Sequence, residues 1–211
     1  MGEQLRRDDV VVDAAARQAR QPGHSEQRRA QRYTLLIRAA KLVTREGEYL
    51  GVIRDASESG ISMRIFHRLP ECRNMWLELQ NGDRYGVEMV WQDGDRAGFR
   101  FGSTADIKRI IESPSRFTKR PVRLNLTAPA EIEAMGRCEY ATIQDISQQG
   151  AKLACSSSFA TDQRVRLRAF GLRDTFAKVR WRREGICGIV FEETFQFGEL
   201  ARIVRELQRG Q

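Results

Sequence analysis

The sequence has few of the residues that build metal sites. Its four cysteines, Cys72, Cys138, Cys155 and Cys187, include no CxxC pair, and it has only two histidines. Zinc sites are usually built from closely spaced Cys and His ligands. The sequence therefore predicts neither a bound metal nor another cofactor. Strand alternation places Cys155 on the same face as Ala151 and Leu153, which favours a buried, inert thiol.

Recognisable catalytic motifs are missing as well. The sequence contains no GxSxG motif of a serine hydrolase and no GxxxxGK[ST] phosphate-binding loop. Two histidines also leave little material for acid–base catalysis. We therefore expect a protein that is not an enzyme.

Long apolar segments are absent. The longest apolar runs, such as residues 10–12 and 35–37, span three residues, whereas a membrane helix needs about 20. Residues 1–9 are partly acidic and lack the apolar segment of a secretory signal peptide. The sequence predicts a cytoplasmic protein without a membrane span.

The overall composition is typical of a folded protein with a net positive charge. Hydrophobic residues make up 41% of the 211 residues and charged residues 30%, close to the averages for globular domains. Lys and Arg number 36 and Asp and Glu number 28, so the net charge is +8. A positive field favours an anionic partner. Charge alone does not distinguish nucleic acid, a phosphorylated small molecule and an acidic protein.

The chain carries an internal repeat. An RxxxR motif starts at Arg28 and again at Arg116, 88 residues later, and a DxSxxG motif starts at Asp55 and again at Asp145, 90 residues later. The same offset of 90 relates two further sets of three residues: Trp91, Gly98 and Phe101 in the first copy, and Trp181, Gly188 and Phe191 in the second. Conserved order and spacing of this kind indicate a duplicated domain.

Each copy has the pattern of a small β-barrel followed by a helix. Apolar and polar residues alternate over 61–65 and 151–155, and short β-segments are separated by Gly- and Asp-containing turns. Six antiparallel strands per copy, closed into a barrel, would leave few exposed edges. The same alternation puts Trp91 on one face with Val87 and Met89, and Trp181 with Ala177 and Val179, which predicts core or rim packing for both indoles.

A helix is predicted at the end of each copy. In the first, Ser103 or Thr104 would cap residues 105–112. In both predicted helices, the apolar residues recur at helical spacing and would face the barrel. They are Ile107, Ile110 and Ile111 in the first copy, and Leu200, Ile203, Val204 and Leu207 in the second. Ser113-Pro114-Ser115 interrupts the first helix, because proline disfavours a helical residue before it. We therefore expect a lead-in at 1–24 that could form a helical turn or two, a first domain at 25–112 and a second at 113–211.

These motifs resemble the PilZ domain family, the bacterial receptor modules for cyclic di-GMP. The resemblance rests on RxxxR in an N-terminal arm followed by DxSxxG, with Asp55 standing 23 positions after Arg32 and Asp145 standing 25 positions after Arg120. RxxxR recurs elsewhere in this arginine-rich chain, but DxSxxG occurs only at these two places. The resemblance covers about residues 25–211 and implies a tandem receptor without catalytic activity.

The chemistry of cyclic di-GMP suits these residue types. A guanidinium forks onto phosphate oxygens or guanine O6 and N7 and also stacks on a purine, whereas a carboxylate accepts from the donor edge of guanine. The resemblance implies a contact set of arginines, carboxylates, hydroxyls and close-approach glycines: Arg28, Arg29, Arg32, Asp55, Ser57 and Gly60 in the first copy, and Arg116, Arg120, Asp145, Ser147 and Gly150 in the second. Ligand engagement by the arm would change the protein's shape and signal to a downstream partner.

Two other functions stay open from the residues alone. Asp and Ser before Gly also form ordinary turns between strands, so a barrel of this fold could act as a protein-interaction adaptor that binds no nucleotide. The net charge also permits nucleic-acid binding. Aromatic residues, however, make up only 8% of the chain, and no basic patch with interleaved aromatics is present, so nucleic acid is the less favoured partner.

Overall fold

The protein is described by a computed structural model, which describes residues 33–72, 74–112, 121–156 and 159–209. The first copy contains β1 (Tyr33–Val43), β2 (Glu48–Ser57), β3 (Gly60–Ile65), β4 (Met75–Leu79), β5 (Arg84–Asp93), β6 (Arg96–Phe101) and α1 (Ile107–Glu112). The second contains β7 (Leu124–Ala134), β8 (Arg137–Ile146), β9 (Gly150–Cys155), β10 (Arg164–Ala169), β11 (Leu172–Arg183), β12 (Ile186–Phe191) and α2 (Phe197–Arg209).

Each copy folds into a closed barrel of six antiparallel strands. The strand order is β1-β2-β3-β6-β5-β4 in the first barrel. The second barrel repeats this order as β7-β8-β9-β12-β11-β10. Closure pairs the first strand of each copy with the fourth, so neither barrel has a free edge strand. The predicted fold class, two tandem six-stranded barrels each followed by a helix, is confirmed.

Alternation fills the barrel interiors as predicted. Ile61, Met63 and Ile65 of β3 are buried, and Leu153 and Cys155 of β9 are buried at the corresponding positions. Side chains on successive strand residues point to opposite faces, so the polar residues between them lie outside. The alternating pattern therefore identified the core face of these strands correctly.

Of the two placements predicted for Trp91 and Trp181, core or rim packing, the core placement is wrong. Each indole instead lies over a glycine of the neighbouring strand, Gly98 or Gly188. A β-bulge interrupts the pairing of β5 with β6 between Met89 and Trp91, and another interrupts β11 and β12 between Val179 and Trp181. A bulge adds one residue and shifts the alternation beyond it. Both indoles are consequently 45% exposed.

The helices cover the barrels with the predicted apolar residues. Ile107 and Ile110 of α1 are buried and Ile111 is partly buried against the same core. The four apolar residues predicted for the second helix, Leu200, Ile203, Val204 and Leu207, are buried in α2.

The start predicted for the first helix is wrong. Helix α1 begins at Ile107, two residues later than expected. Asp106, rather than Ser103 or Thr104, caps it, because its Oδ1 accepts a hydrogen bond of 3.2 Å from the Arg109 amide.

A polar cluster joins the two barrels at Glu48. The Glu48 carboxylate accepts hydrogen bonds from the Asn125 amide at 2.8 Å and the Asn125 Nδ2 at 2.9 Å, and it pairs with Lys41 Nζ at 3.0 Å. Gln208 of α2 donates to the Glu48 carbonyl at 2.9 Å. Glu48 and Lys41 are both buried. Strand β2 of the first barrel is thus bonded to β7 and α2 of the second.

Apolar contacts surround this cluster. Ala39 and Leu50 of the first barrel belong to the continuous core of the second barrel, and Phe66 packs against that core. A side chain at Gly198 would meet the Phe66 ring at 3.2 Å. The barrels therefore share a packed interface. Within the described residues, no helix is both long and apolar enough to span a membrane.

Candidate functional site

The two DxSxxG segments form equivalent turns in the two barrels. Ser57 Oγ donates to the Gly60 carbonyl at 3.2 Å in the β2–β3 turn, and Ser147 Oγ donates to the Gly150 carbonyl at 3.1 Å in the β8–β9 turn. Both serines are buried. Their hydroxyls thus stabilise the turn itself, as Ser side chains commonly do.

The glycine of each motif is required by close packing against the neighbouring strand. A Cβ at Gly60 would lie 2.3 Å from the Phe99 carbonyl oxygen of β6, and a Cβ at Gly150 would lie 2.1 Å from the Ile189 carbonyl oxygen of β12. Real Cβ atoms do not approach backbone oxygens this closely. The absence of a side chain therefore lets the motif turn lie directly on the adjacent strand.

The aspartate of the first motif is partly open. Asp55 Oδ2 accepts a hydrogen bond of 2.6 Å from Ser62 Oγ, and Arg96 Nη2 lies 3.9 Å away. The Asp55 side chain is 20% exposed. Carboxylate oxygen thus remains available at the surface to accept hydrogen bonds from a ligand.

The aspartate of the second motif is more enclosed and is paired with two cations. Arg123 Nη1 lies 2.6 Å from Asp145 Oδ1, and Lys152 Nζ lies 3.6 Å from Asp145 Oδ2. The Asp145 side chain is only 9% exposed. The two copies therefore present the same carboxylate in different electrostatic surroundings.

Arg123 is a residue that motif matching did not identify. Asn125 pairs with Asp145 across β7 and β8, and Thr34 pairs with Asp55 across β1 and β2. Counting back two residues from these partners gives Arg123 in the second copy and Arg32 in the first. In sequence position, Arg123 therefore corresponds to Arg32, whereas the RxxxR motif alone selects Arg120.

A cavity of about 270 Å³ adjoins the first motif. Residues 55–57 and 59–62 form one wall, and Trp91, Phe99 and Arg100 line another. The Trp91 indole lies against Gly98, where a Cβ would be 2.1 Å from Nε1. The arrangement brings a carboxylate, a half-exposed aromatic ring and a guanidinium to one opening. The carboxylate can accept hydrogen bonds from a ligand, and the aromatic ring can stack on it. The guanidinium can neutralise a negative charge, so the set suits an anionic aromatic ligand.

The two buried cysteines, Cys155 and Cys187, lie in the core of the second barrel. Cys155 Sγ and Cys187 Sγ are buried 3.5 Å apart, so the predicted burial of Cys155 is confirmed. Burial in apolar surroundings raises the pKa of the Cys187 thiol to about 12. Among the residues the structure describes, no group of three or more Cys, His, Asp and Glu side chains is placed to hold a metal ion.

The structure brings together only part of the predicted contact set. Asp55, Ser57 and Gly60 meet in one turn, as Asp145, Ser147 and Gly150 do in the other. The arginines of the two arms lie outside the described residues and stay predictions: Arg28, Arg29, Arg32, Arg116 and Arg120. The 1–24 lead-in and the Ser113-Pro114-Ser115 joint also lie outside them.

Several solved structures are similar to this chain. PlzA of Borreliella burgdorferi in complex with c-di-GMP has 14% identity and a TM-score of 0.34, with 80% of this chain and 87% of that chain covered. MotI/DgrA, an inhibitor of motility from Bacillus subtilis, has 12% identity and a TM-score of 0.36, with 82% and 96% covered. YcgR of Escherichia coli in complex with c-di-GMP has 12% identity and a TM-score of 0.29, with 82% and 81% covered.

Comparison with curated protein sequences finds no match. The PilZ domain, in contrast, matches twice, over residues 26–113 and 115–209. Together these matches span most of the 211 residues. Two closed barrels, each carrying an Asp-Ser-Gly turn against its third and sixth strands, agree with that assignment. This chain is a member of the PilZ domain family with two tandem PilZ domains.

Proposed function

We propose that this protein is a non-enzymatic receptor for cyclic di-GMP. The observation that carries the proposal is the first motif turn, where Asp55 and the half-exposed Trp91 border the same cavity of about 270 Å³. The membership of both halves in the PilZ family supports it, because that family supplies receptor modules for this nucleotide.

The described residues have distinct roles in the proposed site. Asp55 and Asp145 accept hydrogen bonds from the donor edge of guanine. Ser57 and Ser147 hold the turns that orient these carboxylates, and the glycines keep each turn against its neighbouring strand. Trp91 supplies an apolar face for stacking on a base.

The arginines complete the proposed site by charge and shape. In the first copy Arg28, Arg29 and Arg32 bind phosphate and guanine, and in the second Arg116 and Arg120 do so. A planar guanidinium makes two parallel hydrogen bonds to phosphate or to guanine O6 and N7, which lysine does not reproduce. Arg123 acts as a positioning residue in the second copy, because it holds Asp145.

Ligand binding in the second copy would alter the interface between the barrels. Arg123, on the Asp145 carboxylate, and Asn125, on the Glu48 carboxylate of the first barrel, are separated by one residue. A ligand that shifts Asp145, together with the Arg123 bound to it, would therefore strain the contact between Asn125 and Glu48. This connection gives the signal a physical route from the site to the arrangement of the two barrels.

Calorimetric titration with cyclic di-GMP tests the proposal. The wild-type protein is expected to release heat that corresponds to two sites, and Asp55→Ala and Asp145→Ala are each expected to remove one site. GTP serves as the ligand control, and Asp174→Ala, which changes an exposed carboxylate on β11, serves as the variant control. Absence of binding by calorimetry and by a second method would overturn the receptor and favour an adaptor that binds no nucleotide.

A further inference from the structure

The two PilZ domains differ in charge on the strand that carries the exposed tryptophan. Trp91 on β5 and Trp181 on β11 occupy equivalent places, 90 residues apart. The neighbours of Trp91 are acidic or neutral, and their counterparts beside Trp181 are all basic: Glu88, Val90, Gln92 and Asp93 correspond to Lys178, Arg180, Arg182 and Arg183. The copies therefore present opposite charges beside otherwise equivalent rings.

Two cations of the second copy also lack an ion-pair partner among the described residues. In the first copy Arg100 is the cation at the cavity, and Glu88 Oε2 lies 2.7 Å from its Nη2. In the second copy, Lys178 and Arg180 are exposed and form no ion pair with any residue that the structure describes. The adjacent Glu192 is occupied by Arg164, at 2.9 Å from its Nε. Two positive charges are thus available for an external anion.

A cavity places these two charges next to the second motif. Lys178 and Arg180 line a cavity of about 370 Å³ together with Val190, Phe191, Asp162 and Glu192. Val190 of β12 pairs with Gly150 of the motif on one side and with Lys178 on the other. Lys178 is therefore two strands from Gly150, about 10 Å across the sheet. A dinucleotide seated on the motif turn would lie within reach of both side chains.

The bulge in β11 adds to this arrangement. Arg180 lies at the register shift between Val179 and Trp181, where an extra residue is accommodated without a partner on β12. Bulges commonly redirect a side chain near a functional site. Val90 occupies the same place in β5, so the first copy has the same bulge but no cationic side chain at it.

We propose that Lys178 and Arg180 form a phosphate-binding wall of the second site and make it the tighter and more salt-sensitive of the two. The ligand is the phosphodiester of cyclic di-GMP, so the inference rests on the proposed function. Cations without a carboxylate partner bind phosphate without first breaking an ion pair, whereas Arg100 must exchange Glu88 for the ligand. The chain would then respond in two steps as the nucleotide concentration rises.

Exchange of the paired residues between the copies tests this inference. Lys178→Glu/Arg180→Val gives the second site the residues of the first, and is measured in an Asp55→Ala background so that only the second site binds. Glu88→Lys/Val90→Arg is the reciprocal change, measured in an Asp145→Ala background. Titration with cyclic di-GMP at low and at high sodium chloride gives the affinity and its salt dependence for each site. Melting temperatures establish that the variants are folded.

The expected result is reciprocal. The first exchange weakens the second site by roughly tenfold or more, because charge-assisted contacts to phosphate are lost, and reduces its salt dependence. The second exchange strengthens the first site and makes it more salt-dependent. Unchanged affinities in folded variants that still bind would overturn the wall but leave the receptor intact. Failure of the wild type to bind would overturn both.

A titration with nucleic acid tests whether Lys178 and Arg180 bind the dinucleotide or any polyanion. A single-stranded deoxyoligonucleotide is titrated under the same conditions into the wild type and into Lys178→Glu/Arg180→Val. Weak binding that is independent of the exchange supports the dinucleotide site. Binding as tight as that of cyclic di-GMP, and lost in the exchange, would assign the wall to nucleic acid and overturn the proposal.

Discussion

Arg123 Nη1 lies 2.6 Å from Asp145 Oδ1, so the second motif aspartate is held by a residue three positions beyond the RxxxR motif. Asp55 in the first copy has only the more distant Arg96 at 3.9 Å among the cations of the described residues. The same six-residue motif therefore has a different electrostatic partner in each barrel, which distinguishes the two sites experimentally.

Replacement of Arg123 is expected to weaken the second site. In an Asp55→Ala background, Arg123→Ala should reduce the affinity for cyclic di-GMP by roughly tenfold, because Asp145 loses the group that orients it. Arg137→Ala, at an exposed arginine of β8, is the matched control. Calorimetry gives the affinity, and equal values for the two variants would contradict a positioning role for Arg123.

Addition of a methyl group at the motif glycines should destabilise the fold. Gly60→Ala and Gly150→Ala each force a Cβ against a backbone carbonyl oxygen, and such overpacking typically costs about 1–3 kcal/mol. Gly102→Ala is the control, since the nearest atom to its Cβ is 3.7 Å away. Urea unfolding gives the free energies. If all three variants unfold at the same urea concentration, the close approach is not a constraint.

Removal of the Asn125 side chain should weaken the connection between the barrels. Asn125→Ala deprives the buried Glu48 carboxylate of one hydrogen bond, and a loss of about 1–3 kcal/mol is expected. Asn74→Ala, at an exposed loop position, is the control. Differential scanning calorimetry should show a less cooperative transition for Asn125→Ala only. A single transition with unchanged midpoint would mean that the barrels are joined mainly by their apolar contacts.

Tryptophan fluorescence should report ligand binding at the first site. Trp91 borders the first cavity, whereas Trp76 lies on β4 opposite Gly86, toward the other end of β5. Cyclic di-GMP is expected to quench Trp91 by stacking in a Trp76→Phe/Trp181→Phe variant. A variant that retains only Trp76 is the control and should show no change. Equal quenching in both would indicate an effect other than stacking.

The buried cysteines should make stability fall at high pH. Burial raises the pKa of Cys187 from 9.0 to about 12. The unfolded thiol then ionises first, so this contribution to folding is complete below pH 9 and is lost as the pH rises toward 12. Urea unfolding across this range should show a shallower decline for Cys187→Ala than for the wild type. Parallel declines would exclude Cys187 as the cause.

Thiol accessibility gives an independent measure of the same burial. Cys138 is exposed and should react with a disulfide reagent in the native protein, whereas Cys155 and Cys187 should react only after unfolding. Cys72 is partly buried, so Cys72→Ser/Cys138→Ser removes the native-state reaction and serves as the control. Fast modification of Cys187 in the native state would contradict its placement in the core.

Much of the fold could be predicted from local patterns. The alternation of Ile61 and Met63 identified a core-facing strand, and the spacing of Leu200 and Ile203 identified a buried helical face. These patterns are local because strand and helix periods place neighbours along the chain on defined faces. A core position for Trp91, one of the two predicted, was wrong because a bulge depends on how two strands pair, and one strand's sequence does not contain that information.

The duplication, the two barrels and the DxSxxG turns could be predicted from the amino-acid order, since they follow from spacing and alternation along the chain. Which charges meet, in contrast, depends on how the closed barrels bring the strands together. The pairing of Arg123 with Asp145, the contact of Asn125 with Glu48 and the exposure of Lys178 arise between strands that are distant in sequence. Their energies depend on distance and burial, and these quantities exist only once the barrels have closed.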